Sequence, residues 1–115
     1  MSGDFTAPQP DGIWIIDDAG KTVFANETMA EILGTTTAYL IGTDSFRFVF
    51  PEDLPEAQRL FSSKQAGSAA PFHFKLRRVD GGWIWVDVQG TPMRNASGRF
   101  TGVVGTFTVS DHHGP

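Results

Sequence analysis

The stretch of residues 71–88 constrains the fold most, because its side chains alternate between apolar and polar along two short segments. A period of two is typical of strands that bury one face. Asp80-Gly81-Gly82 separates the segments, and its glycines tolerate the positive φ angles of a tight turn. The sequence therefore predicts an antiparallel hairpin with one apolar face. The residues of that face are Phe72, Phe74, Leu76, Ile84, Val86 and Val88.

The other face of this hairpin is mixed in character. Its first arm presents His73, Lys75 and Arg77, whereas its second arm presents Trp83 and Trp85. A sheet face that carries large apolar side chains outside the core usually docks against another surface. We therefore expect this face to be covered.

Three further strands are predicted from short apolar, β-branched runs that are bounded by turn residues. The first two span residues 11–16 and 21–25, and residues 17–20 form the turn between them. The last strand spans residues 100–109 and follows a turn at residues 95–98.

The block between the second strand and the hairpin predicts helices. Asn26 suits a helix N-cap, Gly34 suits a C-terminal stop, and the apolar residues between them keep helical spacing. Residues 35–41 predict one or two more helical turns. Residues 43–51 show no clear period, so we expect irregular structure with one turn at most.

The longest helix is predicted to begin at Asp53 and to fade near Gly67. Asp53 and Glu56 stand in the relation of a capping box. Apolar residues recur on one side of this helix, at Leu54, Ala57, Leu60 and Phe61. Since tight turns join antiparallel neighbours, the helices must cover one face of the sheet, which gives a two-layer α+β domain.

Composition limits the class of protein. A chain of 115 residues is long enough for one domain with a core. The absence of cysteine excludes disulfides, thiolate metal sites and cysteine nucleophiles, and fits a reducing compartment. A formal net charge of −4 argues against a nucleic-acid surface. No apolar segment approaches the length of about 20 residues that crosses a bilayer. We therefore expect a cytoplasmic protein with no membrane segment.

The order of these elements, together with several local motifs, resembles a PAS domain. The motifs are the Asp-Xaa-Xaa-Gly turn at residues 17–20, the helix-opening sequence FPED at residues 50–53, and Gly90-Thr91-Pro92 followed by the GVVG sequence at residues 102–105. The resemblance implies a five-stranded antiparallel sheet in the order 2-1-5-4-3 with helices on one face. It also implies a sensory or dimerising module of signalling proteins rather than an enzyme.

The resemblance sets the expected domain boundaries. Residues 1–10 are expected to be a flexible leader, residues 11–110 the PAS domain, and residues 111–115 a C-terminal tail or tag remnant. Asp111 resembles the start of the Asp-Ile-Thr-like motif that connects many PAS domains to a downstream helix. We therefore expect a covalently linked output domain in the full-length protein.

The family pattern and the alternation of the hairpin direct the same hairpin side chains toward the helices, where PAS domains hold ligands. None of the inward strand positions is ionisable, so no catalytic acid, base or nucleophile is expected there. Two interpretations stay open: a packed apolar core, or a cavity for a small apolar or aromatic ligand. The predicted lining consists of Trp14, Ile16, Tyr39, Ser45, Phe48, Phe72, Phe74, Leu76, Val86, Val88 and Phe107.

Flavin-binding members of the family need a cysteine after the short helices and amide side chains on the later strands. The matching positions in this chain are Ser45, Leu76, Val86 and Phe107, none of which supplies that chemistry. The resemblance therefore argues against a flavin cofactor.

Haem-binding members ligate iron through a histidine on or near the long helix. Residues 53–67 contain no histidine, and His73 alternates with inward residues and so points away from the cavity. We expect neither haem nor another metal. If the inner face is not simply a packed core, the ligand expected there is a small apolar one of unknown identity.

The sheet face opposite the helices is predicted to carry Ile13, Ile15, Trp83, Trp85, Val104 and Thr106. In the family such a face is covered by an N-terminal helix or by a second PAS domain. The leader at residues 1–10 contains two prolines and makes a poor helix. We therefore predict a homodimer through this face.

These inferences predict a non-catalytic sensory or dimerisation module, linked to an output domain of the histidine kinase or cyclic-dinucleotide enzyme type. One alternative is a pure protein–protein module with a filled apolar core and no ligand. Another is a small cystatin-like α+β enzyme, which would need an acid–base pair in its cavity.

Overall fold

A computed structural model describes residues 11–113, and the surroundings of the side chains for residues 11–110. The predicted leader at residues 1–10 lies outside the described residues. Five strands form one antiparallel sheet in the order β2-β1-β5-β4-β3, which confirms the predicted fold class and strand order. The strands are β1 (Gly12–Asp17), β2 (Thr22–Ala25), β3 (Phe72–Arg77), β4 (Trp83–Arg94) and β5 (Phe100–His113).

The hairpin of β3 and β4 has the register that the alternation predicts. Phe74 pairs with Val86 on the inner face, and Lys75 pairs with Trp85 on the outer face. Gly81 supplies the positive φ of the turn, at 99°. Gly102 on β5 adopts φ 152°, and a Cβ there would collide with the carbonyl oxygen of Ile16 on β1.

Strand β5 is longer than predicted. It continues past Val109 to His113, where its backbone pairs with Ile84. The length of β4 explains this extension, since a paired strand satisfies the backbone N–H and C=O groups of its neighbour. Residues 111–113, which were expected to belong to a tail, are therefore part of the sheet.

Three α-helices connect β2 to β3, namely α1 (Glu27–Leu33), α2 (Thr37–Leu40) and α3 (Leu54–Gln65). Two 3₁₀ turns, Ser45–Phe48 and Pro51–Asp53, precede α3. The predicted caps of α1 are confirmed: the Asn26 side chain accepts from the Met29 N–H, and Gly34 ends the helix with φ 73°. The same Asn26 oxygen accepts from the Ile13 N–H at 2.9 Å and so ties α1 to β1.

The predicted capping box of α3 is wrong. Asp53 makes no side-chain hydrogen bond to the helix, and Glu56 instead accepts from Arg59, with 2.6 Å between Oε2 and Nη2. The 3₁₀ turn before the helix explains the difference, because Asp53 already has near-helical φ and ψ of −98° and −2°. An N-cap side chain reaches the first N–H groups from an extended backbone.

The core lies between the inner face of the sheet and the helices. Its most deeply buried side chains are Met29, Leu33, Leu40 and Val86. Arg78 fixes the hairpin turn to α1, because its Nη1 donates to the Ile32 carbonyl at 3.0 Å and its Nη2 pairs with Asp80 at 2.9 Å. The Val79 N–H also donates to the Leu33 carbonyl.

Candidate functional site: an apolar cavity under the third helix

A cavity of about 120 Å³ lies between α3 and the inner face of the sheet. Its walls are almost entirely apolar. For comparison, an engineered apolar cavity of roughly 150 Å³ takes up one benzene molecule. The space under α3 is thus of the size of a small organic group.

Nine of the predicted residues line this cavity: Trp14, Ile16, Ser45, Phe72, Phe74, Leu76, Val86, Val88 and Phe107. Eight are strand residues on the inner face of the hairpin or of its neighbours, and they lie there because the alternation fixes which face they share. Ser45 comes from the 3₁₀ turn that precedes α3.

Two predicted residues do not line the cavity. Tyr39 is 43% exposed, and its hydroxyl accepts from Arg47 Nη1 at 3.3 Å on the surface of α2. Phe48 is only 2% exposed, but its ring packs edge-on against Trp14 with 5.6 Å between centroids. Phe48 therefore fills the core beside the cavity, whereas Tyr39 faces away from it.

Trp14 forms the boundary between the packed core and the cavity. Its Nε1–H donates to the Thr22 hydroxyl at 2.9 Å, and both residues are buried. On the cavity side, the ring contacts Phe107 with 5.6 Å between centroids. A hydrogen-bonded indole held from two sides is a rigid wall.

The sequence interpretation missed the contribution of α3 and of several small residues to the walls. The additional lining residues are Phe46, Val49, Ala57, Leu60, Phe61, Lys64, Gly90, Val103 and Gly105. Ala57, Leu60, Phe61 and Lys64 follow the i, i+3, i+4, i+7 spacing of one helix face. That spacing could have predicted which residues of α3 face the sheet, and it includes Lys64.

Lys64 is a buried cation at this cavity. It is only 3% exposed, and its Nζ donates to the Ala70 carbonyl at 2.8 Å. The same nitrogen lies 5.4 Å from the centroid of the Phe72 ring. Burial lowers the pKa of the Lys64 ammonium, because a charged group loses solvation in apolar surroundings. Within residues 11–110, whose side chains the structure describes, the strands supply no ionisable group to the cavity, but α3 supplies Lys64.

Aromatic rings form the wall of the cavity beneath α3. Phe61 packs edge-on against Phe46 and against Phe100, with 5.8 Å between centroids in both pairs. Edge-to-face pairs of this kind stabilise each ring beyond the area that it buries.

The outer face of the sheet carries the six predicted residues, but its apolar side chains fall into two groups. Ile15 pairs with Val104 on one side and with Phe24 on the other, so these residues form the first group together with Ile13. Phe24 was not predicted and is 46% exposed. Trp83, 37% exposed, and Trp85 form the second group.

A polar band separates the two groups. Asp87 pairs with His73 across the hairpin, and Gln89 pairs with Thr106 on β5. His73 stacks on Trp85 with 4.7 Å between centroids, and its Nδ1 lies 2.8 Å from the Asp87 carboxylate. His73 thus lies on the face away from the cavity.

The part of the chain that the structure describes contains no cluster of three histidine or acidic side chains suited to a metal ion. Within the same residues, no helix has both the length and the apolar character that crossing a membrane requires.

Solved structures with the same fold include PAS domains of diverse origin. A PAS domain from Colwellia psychrerythraea superposes with a TM-score of 0.77 at 17% identity, covering 87% of this chain and 86% of that chain. The PAS-B domain of Drosophila melanogaster Cycle, with bound ethylene glycol, gives a TM-score of 0.75 at 14% identity, covering 86% and 99%. The Vibrio cholerae protein VqmA, bound to DPO, gives 0.71 at 21% identity, covering 89% and 53%.

No curated protein matches this chain in sequence. A family model described as the PAS fold, however, matches residues 7–109, which is most of the chain. PAS domains are generally sensory, non-catalytic modules that often form dimers and connect to output domains. The sequence match, the strand order and the superpositions agree, and this chain belongs to the PAS family.

Proposed function

We propose that this PAS domain is a non-catalytic sensor that binds a small apolar ligand in the cavity under α3. In the full-length protein it would pass that signal to a covalently linked output domain, such as a histidine kinase or a cyclic-dinucleotide enzyme. The observation that carries the proposal is the cavity itself, about 120 Å³ of space lined by aromatic and branched aliphatic side chains. Small-molecule sites are typically concave and mostly apolar.

The packing of α3 supports this proposal. Its sheet-facing residues Leu60 and Phe61 are only half-buried, whereas Met29 and Leu33 of α1 are fully buried. Protein interiors are normally close-packed, so space left beneath one helix is a departure that a ligand would fill. The superposed Cycle and VqmA structures are described with small molecules bound, which supports the same use of the fold.

The alternatives fit the cavity less well. A pure dimerisation module with a filled core needs no space under α3. A cystatin-like enzyme needs an acid–base pair, and among the residues that the structure describes only Lys64 is an ionisable part of the cavity lining. The absence of flavin and haem stays a prediction, as does the cytoplasmic location.

Ligand binding is tested with the full chain as purified. Native mass spectrometry should show added mass if a ligand is retained, and a visible absorption spectrum would reveal a flavin or haem. Toluene is then added as an apolar probe, and its binding is followed by two-dimensional NMR. We expect shifts confined to cavity residues such as Phe74, Val86 and Val88.

A matched pair of variants makes this test specific. Ala57→Leu should abolish toluene binding, because the longer side chain occupies the cavity. Ala66→Leu makes the same change at the exposed end of α3 and should leave binding intact. Binding that persists in Ala57→Leu, or no binding of any probe to the wild-type chain, would contradict the sensor.

A second function, homodimerisation through the outer face, is favoured by the group of apolar side chains on β1, β2 and β5. Phe24 is about half exposed there and pairs with Ile15, which in turn pairs with Val104 on β5. Exposed apolar groups of this kind often mark an interface. The polar band around Asp87 leads us to place the interface on this group rather than on the tryptophans.

Sedimentation of the full chain tests the dimer. The wild type should sediment as a dimer, and Val104→Lys should make it a monomer by placing a charge in the interface. Ile41→Lys is the control, since Ile41 is also an apolar side chain on the surface, 51% exposed, but lies at the end of α2. A monomeric wild-type chain at high concentration would rule the interface out.

A further inference from the structure

The position of Lys64 adds chemistry to the proposed sensor. Its side chain leaves the last turn of α3, lines the cavity and is almost completely buried. The side chains around the Lys64 ammonium are mainly apolar and include the ring of Phe72. A long cationic side chain normally extends to solvent. Lys64 instead stays inside.

The described partners of Lys64 satisfy only part of its hydrogen-bonding capacity. An ammonium group has three donors, and one of them reaches the Ala70 carbonyl. None of the ion pairs found among residues 11–110 includes Lys64. Buried charges are usually paired with an opposite charge, because burial without a partner is costly. Among the described side chains, the cavity therefore presents a cation without a counter-charge.

The strand opposite Lys64 is shaped to admit its side chain. Gly90 on β4 faces the lysine, and a Cβ at that position would lie 3.1 Å from Lys64 Cε and 3.7 Å from Nζ. Almost any other residue at position 90 would press on the end of the lysine side chain. The glycine thus leaves the ammonium beside the cavity.

We propose that the ligand of this cavity is a small carboxylate, whose apolar body contacts the aromatic walls and whose carboxylate pairs with the Lys64 ammonium. This inference rests on the proposed sensor function and specifies its ligand class. One ammonium balances the single charge of a carboxylate, whereas a phosphate would need further donors, and the other lining side chains that the structure describes are uncharged. The cavity volume suits one aromatic ring or a short branched chain.

The probes that test the inference are benzoate, benzamide and toluene, titrated calorimetrically into the full chain. Benzoate and benzamide have nearly the same shape and differ in charge, and toluene reports on the apolar cavity alone. We expect benzoate to bind at least about tenfold more tightly than benzamide, as charge-assisted hydrogen bonds are stronger than neutral ones. Lys64→Met should remove this preference while retaining toluene binding.

A second variant guards against loss of folding in Lys64→Met. Lys64→Gln keeps a donor for the Ala70 carbonyl but removes the charge, and it should lose the same preference. Thermal unfolding of both variants shows whether each is folded. Ser63→Met, one residue away on α3 and outside the cavity lining, is the control and should keep the wild-type preference.

The outcomes separate the inference from the function on which it rests. If toluene or benzamide binds as tightly as benzoate, the carboxylate inference is wrong and the apolar sensor stands. The same holds if Lys64→Met retains the preference for benzoate. If none of the three probes binds, both the inference and the sensor are overturned.

Discussion

The two ends of the layer between sheet and helices differ in how well they are packed. Under α1 and α2, Met29, Leu33 and Leu40 are fully buried. Under α3, the facing side chains leave about 120 Å³ unfilled. We call the first region the packed end and the second the cavity end. The unfilled space therefore lies at the end of the layer where the proposed ligand would bind.

The attachment of the helices follows the same division. Helix α1 is capped by Asn26, which also binds β1, and its last turn is held by Arg78. Helix α3 has no side-chain N-cap. At its other end, Lys64 donates to the Ala70 carbonyl in the loop that follows, and Arg94 on β4 donates to the Gln65 carbonyl at 2.8 Å. The N-terminus of α3 is therefore held by fewer side-chain hydrogen bonds than the N-terminus of α1.

The largest expected difference between the two ends concerns core truncation. Leu33→Ala should reduce the free energy of unfolding by about 2–5 kcal/mol, because it leaves a cavity in a packed region. Leu60→Ala removes the same atoms at the cavity end, where the side chain is half-buried. Its effect should be less than half as large. Urea denaturation of both variants measures the difference, and equal losses would contradict the division.

The helix caps should differ by a smaller amount. Asn26→Ala should cost about 1 kcal/mol, since it removes the bonds to the Met29 and Ile13 N–H groups. Asp53→Ala at the start of α3 should cost less than about 0.5 kcal/mol, as expected for a residue that caps nothing. Chemical denaturation again measures both. A larger loss of unfolding free energy in Asp53→Ala would show that Asp53 stabilises α3 through an interaction other than a helix cap.

The smallest expected effect is on the pH dependence of stability. It concerns the Arg78–Asp80 ion pair, which lies where the hairpin turn contacts α1. The Arg78 guanidinium, followed by the Gly82 N–H, lowers the pKa of Asp80 from its usual value of about 4. A lowered folded-state pKa stabilises the protein above the unfolded pKa, and that contribution is lost as the pH falls through the folded value.

Asp80→Asn should therefore lower the unfolding temperature slightly at pH 7 and have less effect near pH 3. Thermal unfolding of both chains across this range measures the difference. Glu56→Gln is the control on α3, where Arg59 lowers the pKa of the Glu56 carboxyl in the same way but joins no second element. A difference between wild type and Asp80→Asn that grows toward low pH would contradict the assignment.

The fold was largely predictable because its signals are local. Alternation in the hairpin fixes which residues face inward, so Phe74, Val86 and Val88 could be assigned to the inner face before any contact was known. Asn26 and Gly34 mark the ends of α1 by their own backbone and side-chain chemistry. Such features depend on residues close together in the chain.

The candidate site was only partly predictable. The strand residues of the cavity follow from the alternation, but Tyr39 and Phe48 were misplaced because the rotation of short helical turns depends on what they pack against. Helical spacing could have predicted that Ala57 and Lys64 share one face of α3. A lysine on such a face would nevertheless ordinarily be expected to extend to solvent.

The sequence by itself determined the strands, the two main turns, the limits of α1 and the family, since each depends on side-chain periodicity or on a short motif. Only the tertiary structure decided how far α3 stands from the sheet and where Lys64 ends. It also divided the outer face into two apolar groups. Those features depend on distances between residues far apart in the chain, such as Lys64 and Gly90, and these distances result from packing.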